Sequence, residues 1–436
     1  MNRPELLAPA GTLNNLRYAL AFGADAVYAG MPRYSLRVRN NDFSRLDNLQ
    51  QGIETAHTAG RQFFLASNAL PHNSKIKTFL RDMEPVVALG PDALIMADPG
   101  LILLVRERWP ELPIHLSVQA NTMNYAAVRF WQQLGIKRII LSRELSLDEV
   151  AEIRQQCPDM ELEVFVHGAL CIAYSGRCLL SGYFNHRDAN QGTCTNACRW
   201  EYQVHEGEQD AAGDARPKEI SLNAAPVHFI EEKERPGELM PIEEDEHGTY
   251  IMNSKDLRAI EHIQRMVELG IDSLKIEGRT KSHYYVARTA QVYRAAIDDA
   301  VAGRPFDPEL LNTLDNLANR GYTDGFYQRH ADQDYQNYLS SRSDQVRQQF
   351  VGEISGYDPA SGLAEVAVKN KFTVGDELEL ILPQGNRRLR LDSMQDARGN
   401  PMQEAPGGGY RVRIPLAPGE YALGLIAREL PANEPA

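Results

Sequence analysis

The sequence contains no apolar run of about 18 residues or more, the length that a membrane-spanning helix requires. Its first residues, MNRPELLAPAG, do not combine a basic start with a long apolar stretch, so they do not predict a signal peptide. We therefore expect a cytoplasmic protein with no membrane partner. Because that compartment is reducing, disulfides are disfavoured.

Three common catalytic signatures are also absent. No GxGxxG follows the first predicted strand, and neither HExxH nor GxSxG occurs anywhere in the chain. The first absence disfavours a dinucleotide-binding fold. The other two disfavour a zinc protease and a serine hydrolase of the common types.

Cysteine is scarce, with five residues in 436, yet four of the five lie within one 28-residue window with the spacing Cys171-x6-Cys178-x15-Cys194-x3-Cys198. Thiolates gather in this way mainly to bind a metal or a cluster. Only the last pair has the close spacing typical of a zinc knuckle, whereas a [4Fe-4S] cluster accepts more varied spacing. An iron–sulfur cluster, a zinc site and a set of buried free thiols all remain open on spacing alone.

The net charge of −13 disfavours a nucleic-acid partner at first sight. The acidic residues are concentrated, however. Residues 201–249 contain 14 Asp and Glu against 4 Lys and Arg, and the rest of the chain carries a net charge of only −3. A basic surface outside this segment is therefore compatible with the composition.

Short apolar segments alternate with amphipathic ones from residue 5 to about 303, which predicts eight β-then-α units and thus an α/β, TIM-like (β/α)8 barrel. A doubly wound open sheet is the alternative. Several helical segments end on Gly just before the next strand, a typical C-cap placement. The predicted strands are 5–11, 24–30, 61–68, 92–98, 114–121, 138–144, 162–168 and 272–279.

The predicted domains follow from this pattern. The barrel spans 1–303 and is interrupted after its seventh strand by an insertion, 169–254, which contains the four clustered cysteines and a polar segment, 201–249, expected to be mobile. A helical connector is expected over 304–345. Period-two alternation with Gly turns predicts a small all-β, barrel-like domain over 346–436.

Polar side chains stand at the ends of most predicted barrel strands. Because the carboxyl ends of barrel strands and the loops after them form the active face, these residues are candidate site residues. Some of them are also suited to cap the following helix. The polar strand ends are Asn68, Asp98, Gln119, Asn121, Ser142 to Glu144, His167, Glu277 and Arg279.

The segment EVFVHGALCIAYSGRCLLSGY resembles the signature of the U-32 peptidase-like family. ELLAPAG near the start and SLKIEGRTKS before the last barrel helix are similar to other blocks of that family, and the resemblance extends over almost the whole chain. YSLRVRNNDF, PHNSKIKTFLRDM, ALIMADPGL and NQGTCTNACRWEY are similar to one bacterial branch of it.

The resemblance implies a function. That branch is implicated in prephenate-dependent formation of 5-hydroxyuridine at the wobble position of tRNA, so it implies prephenate as co-substrate and the tRNA anticodon loop as partner. Sister branches hydroxylate ribosomal RNA or a ubiquinone precursor, which are the alternative substrates. The resemblance also implies that Cys171, Cys178, Cys194 and Cys198 are the ligands of a [4Fe-4S] cluster.

Candidate residues for this chemistry are cations on the predicted active face, since guanidinium groups suit both phosphate and carboxylate groups. Tyr34 is a candidate for stacking on a base. The candidate general bases are Glu144, His167 and Glu277. The candidate anion-binding residues are Arg37, Arg39, Arg143, Arg279 and Lys281.

Two other classes of function remain as alternatives. The family name implies a peptidase, and His167 lies four residues before Cys171, as a Cys–His pair would allow. A single nucleophilic cysteine does not need three cysteine neighbours, which disfavours this alternative. A non-catalytic, cluster-bearing RNA-binding protein is the other one, and the polar strand ends speak against it.

Overall fold

The chain forms a closed eight-stranded parallel barrel. The computed structural model describes residues 2–31, 33–36, 41–170, 255–317, 319, 321–328 and 348–430, together with the strands between 202 and 249. Strands β1 to β7 pair in chain order, and β15 closes the barrel between β7 and β1. The barrel strands are β1 Glu5–Pro9, β2 Ala26–Gly30, β3 Gln62–Ser67, β4 Ala93–Met96, β5 Ile114–Leu116, β6 Arg138–Ile140, β7 Glu161–Ala169 and β15 Ser273–Ile276.

Helices surround the barrel, and local sequence explains where several of them begin and end. The side chains of Asp98 and Ser146 accept hydrogen bonds from the first turns of α4 and α6. Gly90 and Gly135 follow α3 and α5 with positive φ, as the sequence predicted for a helix stop. The described helices are α1 Leu13–Ala21, α2 Leu46–Thr58, α3 Asn73–Val87, α4 Pro99–Arg108, α5 Tyr125–Gln133, α6 Leu147–Gln156, α7 Ile263–Glu268, α8 His283–Val301 and α9 Glu309–Asp315.

The fold confirms the predicted (β/α)8 barrel, and all eight predicted strands are present. Several end earlier than the sequence predicted. The fifth, for example, stops at Leu116 because Val118–Ala120 forms a 3-10 turn. Apolar residues from the strands and helices form the core of the barrel. No described helix has both the length and the hydropathy to cross a membrane.

The insertion leaves the barrel and returns to it at one place. Strand β7 continues past the barrel, and its end pairs antiparallel with β14, Asp256–Arg258, which also pairs with β16, Tyr322–Thr323. Leu170 and Lys255 therefore lie near each other at the carboxyl end of β7. Six strands within the segment expected to be mobile were not predicted: β8 Tyr202–Gln209, β9 Ala215–Pro217, β10 Val227–Glu232, β11 Leu239–Ile242, β12 Glu244–Asp245 and β13 Gly248–Thr249.

The C-terminal part is all-β and antiparallel, as predicted. Eight strands form one sheet in the order β21-β20-β26-β17-β18-β25-β22-β23, and β19 pairs with β24. Its strands are β17 Gln348–Asp358, β18 Leu363–Val368, β19 Phe372–Thr373, β20 Glu377–Ile381, β21 Arg387–Arg390, β22 Met394–Asp396, β23 Pro401–Met402, β24 Glu404–Ala405, β25 Arg411–Pro415 and β26 Leu425–Glu429.

Helix α8 joins the two domains. It packs on the barrel and also contacts the C-terminal sheet, where Tyr284 stacks on Phe350 with ring centroids 4.6 Å apart. The guanidinium of Arg288, 2% exposed, donates to both carboxylate oxygens of Glu379 at 3.2 and 3.3 Å. Gln348 donates to the same carboxylate, at 2.7 Å. This buried pair links the C-terminal domain to α8.

We expect Arg288→Met to destabilise the protein strongly, because the buried Glu379 carboxylate would lose its cationic partner. Removing one partner of a buried pair costs about 3–5 kcal/mol. The matched control is Arg108→Met, which breaks the exposed Arg108–Glu84 pair and should cost about 0–1 kcal/mol. The measurement is urea unfolding followed by circular dichroism. Equal losses in the two variants would contradict the account of the interface.

Candidate active site

A cavity opens at the carboxyl ends of the barrel strands. Seven of the eight strands, or the loops directly after them, contribute to its wall. The wall is mixed and combines cationic, carboxylate, amide and hydroxyl groups with apolar side chains. The lining residues are Tyr28, Leu36, Ala66, Asn68, Ile95, Ser117, Val118, Gln119, Ile140, Arg143, Phe165, Lys275, Glu277 and Arg279.

Arg143 and Glu277 form an ion pair in the cavity wall. The Arg143 guanidinium lies 3.7 Å from the centroid of the Phe165 ring, and its Nη2 is 3.6 Å from the Glu277 carboxylate. Both residues are buried, and the backbone of β7 at Gly168 lies close to Glu277. A Cβ on Gly168, which has φ +104°, would lie 2.9 Å from the Glu277 Cβ. The glycine therefore allows β7 to approach the backbone that carries this carboxylate.

Arg279 connects the cavity to the loop after β2. Its guanidinium donates to Ser35 Oγ at 2.8 Å and to the Leu36 carbonyl. Asn68 supports the same loop, because its Oδ1 accepts from the Leu36 amide at 3.3 Å while its Nδ2 donates to Ser117 Oγ at 3.2 Å. Gly30 leaves room for the guanidinium, since a Cβ there would collide with it. Residues 33–36 are thus held against the cavity.

A cluster of buried charges lies at the bottom of the cavity. Lys275 Nζ is 2.7 Å from Glu163 Oε1, and Arg138 contacts the other oxygen of the same carboxylate at 3.4 Å. Arg138 also pairs with Glu5 at 2.6 Å. Burial lowers the pKa of the Lys275 amine from its ordinary value, and the Glu163 carboxylate opposes that shift. Arg138 also pairs with Glu161 at 3.0 Å, so two cations contact three carboxylates here.

His167 does not line the cavity, which corrects the prediction that it acts as a general base there. A register shift between β7 and β15 places it opposite Ile276. Its ring lies instead among Tyr285, Tyr293 and Tyr322. Burial, with smaller contributions from the charges of Lys281 and Arg258, lowers the pKa of His167 to about 3.

The hydrogen bonds of His167 define its neutral form. The Tyr293 hydroxyl donates to the Val166 carbonyl at 2.7 Å, so His167 Nδ1, 3.3 Å from the same hydroxyl oxygen, must carry the proton and donate. His167 Nε2 is buried and has no hydrogen-bond partner among the described residues. Protonation at Nε2 would therefore bury a charge for which the described residues provide no acceptor.

Three other predicted residues lie outside the cavity wall. Tyr34 is 1% exposed, and its hydroxyl donates to Asp82 at 2.8 Å, so the prediction that its ring stacks on a base is wrong for this structure. Glu144 is half-buried, accepts from Ser142 Oγ and is not part of the cavity wall. Lys281 lies with its Nζ 5.2 Å from the Tyr285 ring centroid, also outside the wall. Neither Glu144 nor Lys281 is therefore brought to the cavity.

Comparisons with known proteins identify the family. The model described as "Peptidase family U32" matches residues 11–337, and that described as "Peptidase family U32 C-terminal domain" matches residues 346–428. The chain belongs to peptidase family U32. The resemblance expected from the cysteine segment is thereby confirmed.

Three proteins that are similar to this chain carry two different names. The chain is 63% identical to "tRNA hydroxylation protein P" of Escherichia coli K12, over 95% of this chain and 94% of that protein. It is 58% identical to the protein of the same name from Haemophilus influenzae, over 94% and 92%. It is 27% identical to "Collagenase" of Porphyromonas gingivalis, over 95% of each.

The remaining predicted residues of this U32 protein lie outside the described residues. They are Arg37 and Arg39 in the loop after β2, and the four cysteines Cys171, Cys178, Cys194 and Cys198. Arg37 follows Leu36, which is itself in the cavity wall. Their predicted roles therefore stay predictions.

The structure adds one functional candidate that sequence reasoning missed. Lys275 and Glu163 lie within largely apolar strands, and each points a charge into the barrel. A charged residue in the middle of a fully buried strand is the signal that points to them. Both are 3% exposed or less.

We predict that the lowered pKa of the buried His167 makes this U32 protein less stable in mild acid. The folded pKa lies below that of a histidine in the unfolded chain, so the unfolded state takes up the proton first. Stability is complete above about pH 6.5 and falls, by up to about 1.4 kcal/mol per pH unit, as the pH drops towards 3.

The variant His167→Gln, which cannot titrate, should show a flatter pH dependence of the free energy of unfolding between pH 6.5 and 4. His72→Gln is the matched control, because His72 is exposed. Urea unfolding at several pH values measures both. A slope in His167→Gln as steep as in the parent protein would contradict the neutral, buried assignment.

Proposed function

We propose that this protein hydroxylates the wobble uridine of tRNA to 5-hydroxyuridine, with prephenate as co-substrate and a [4Fe-4S] cluster. Two relatives that are 58% and 63% identical carry the name tRNA hydroxylation protein P. Each alignment covers at least 92% of both chains, so it includes the barrel and the C-terminal domain. This similarity supports a tRNA substrate.

The cavity is the observation that best supports the co-substrate. The described wall residues include three cations, Arg143, Lys275 and Arg279, and one carboxylate, Glu277. Prephenate is a small molecule with two carboxylates, and guanidinium groups bind carboxylates through paired hydrogen bonds.

The position of the insertion supports the cluster. Hydroxylating C5 of a pyrimidine is an oxidation, and a bound cluster supplies the electron transfer that ordinary side chains lack. Leu170 enters the cysteine segment from the end of β7, and Lys255 returns beside the same strand. Cys171 directly follows Leu170 in the sequence. The four cysteines are proposed as cluster ligands on their spacing and on family membership.

The wobble uridine suits a site at the mouth of the barrel. It lies in an unpaired loop, so little energy is needed to turn the base outward, and proteins commonly read such unstacked bases. Arg37 and Arg39, which follow the loop held by Arg279 and Asn68, are proposed phosphate contacts. Glu277 is the general-base candidate that remains in the cavity wall, and its carboxylate is already oriented by Arg143.

A peptidase is less well supported by the described residues. The relative named Collagenase is 27% identical. Among the described wall residues there is a serine, Ser117, but no histidine to activate it. Its hydroxyl instead accepts a hydrogen bond from Asn68. Hydroxylation of ribosomal RNA or of a quinone precursor would use the same cavity and is an alternative outcome of the test below.

The test expresses the protein in a bacterial host that lacks wobble-uridine hydroxylation and analyses tRNA nucleosides by mass spectrometry. We expect 5-hydroxyuridine derivatives to appear with the parent chain and to be lost with Cys171→Ala, together with iron and sulfide in the anaerobically purified protein. Cys157→Ala is the matched control, since Cys157 is a buried thiol at the end of α6.

Three results would contradict the proposal. Unchanged tRNA with the parent chain would exclude tRNA as substrate, and hydroxylated ribosomal RNA or quinone would identify the alternative. A colourless protein with stoichiometric zinc would exclude the cluster. Full tRNA hydroxylation by Cys171→Ala without iron would make the cysteines structural only.

A further inference from the structure

Lys275 combines features that a purely structural ion pair does not need. Its side chain is 4% exposed, yet it forms part of the wall of an open cavity. Its Nζ lies 4.3 Å from the Tyr28 ring centroid and 5.6 Å from that of Phe165. An amine placed at the end of such a cavity is within reach of a bound ligand.

The surroundings favour the neutral amine more than at an ordinary lysine. Burial lowers the pKa of Lys275, and the nearby Arg279 charge adds to that effect, while Glu163 and Glu277 oppose it. Glu163 also has Arg138 as a partner at 3.4 Å. When Lys275 loses its proton, Glu163 therefore still faces a cation, so the buried carboxylate is not left unpaired.

The ligand class follows from the groups around the amine. Arg143 and Arg279 line the same cavity and suit a carboxylate, and a nucleophilic amine suits a carbonyl. A 2-oxo carboxylate carries both groups on adjacent carbons. We propose that Lys275 forms a Schiff base with the ketone of a 2-oxo carboxylate bound in this cavity.

The step balances without an oxidant or a reductant. The ammonium of Lys275 gives one proton to Glu163 or to solvent in the cavity, and its lone pair attacks the ketone carbon. The carbonyl oxygen takes up protons and leaves as water, so an ammonium and a ketone become a protonated imine and one water molecule. Glu163, 2.7 Å from Nζ, is the group positioned to accept and return the proton.

The inference deepens the proposed function and rests on it for the identity of the ligand, because prephenate carries a 2-oxo carboxylate side chain. An imine at that ketone would fix the co-substrate covalently, with its ring directed towards the cavity mouth. The protonated imine would also make the side chain of prephenate more electron-withdrawing than it is as the free ketone.

The experiment is reductive trapping. The purified protein is incubated anaerobically with pyruvate, phenylpyruvate or prephenate and with cyanoborohydride, and peptide mass spectrometry locates the reduced adduct. We expect the adduct on Lys275 with all three acids, none with lactate, and less with excess malonate, which offers carboxylates but no ketone. The parent protein is used for this mapping, so the result does not depend on a variant that folds.

Two variants complete the test. Lys275→Arg keeps the charge next to Glu163 but cannot form an imine, so it should lose the adduct and the prephenate-dependent reaction while keeping its fold by circular dichroism. Lys137→Arg is the control, because Lys137 is an exposed lysine paired with Glu161, and it should leave both unchanged.

Several outcomes overturn the inference. One is labelling spread over exposed lysines but absent from Lys275. Another is tRNA hydroxylation that persists in Lys275→Arg. If tRNA is hydroxylated by the parent chain but no adduct forms, the imine is excluded while the proposed function stands. If the adduct forms but no RNA is modified, the imine stands and the proposed function fails.

Discussion

Closure of the barrel by β15 is the constraint on which the rest of the molecule depends. This strand pairs with β1 on one side and β7 on the other, although the long insertion separates it from β7 in the chain. One short segment, from Lys275 to Arg279, then supplies three charged residues of the cavity wall. The antiparallel pairing of β14 with β7 brings both ends of the insertion to the end of β7.

The charged side chains inside the barrel favour one register of strand pairing. Placing Lys275 in a dry interior is costly unless it meets Glu163, so any slip of β15 against β7 would separate the buried ammonium from this carboxylate. The register shift after Lys275 has a second consequence, because it turns His167 towards the helices. The cavity thereby keeps its cations and the histidine becomes part of the packing around α8.

The sequence predicts the architecture well, because each barrel strand is a short apolar run between amphipathic helices and this pattern is local. The rule that strand ends form the active face also identified Arg143, Glu277 and Arg279 correctly as neighbours. It did not separate them from Asp98, which caps α4, since both kinds of residue follow a strand.

The remaining differences are tertiary. Tyr34 lies in a basic segment of the sequence, which favoured the prediction that its ring stacks on a base. In the structure it is buried, and its hydroxyl donates a hydrogen bond to the Asp82 carboxylate on α3. His167 stands at a strand end like the others, and only the register with β15 decides which way it faces. The Lys275–Glu163 pair joins residues 112 positions apart, so no local pattern could match the two charges.

The central claim is that the barrel cavity binds prephenate through its cations. Calorimetric titration of the anaerobically purified protein tests it directly, with Arg143→Met beside the parent and Arg108→Met as an exposed-arginine control. Losing a charge-assisted hydrogen bond worth about 1.5–3 kcal/mol should weaken binding about 10- to 150-fold in Arg143→Met alone. Equal affinity in all three proteins, or no binding by the parent, would contradict the account.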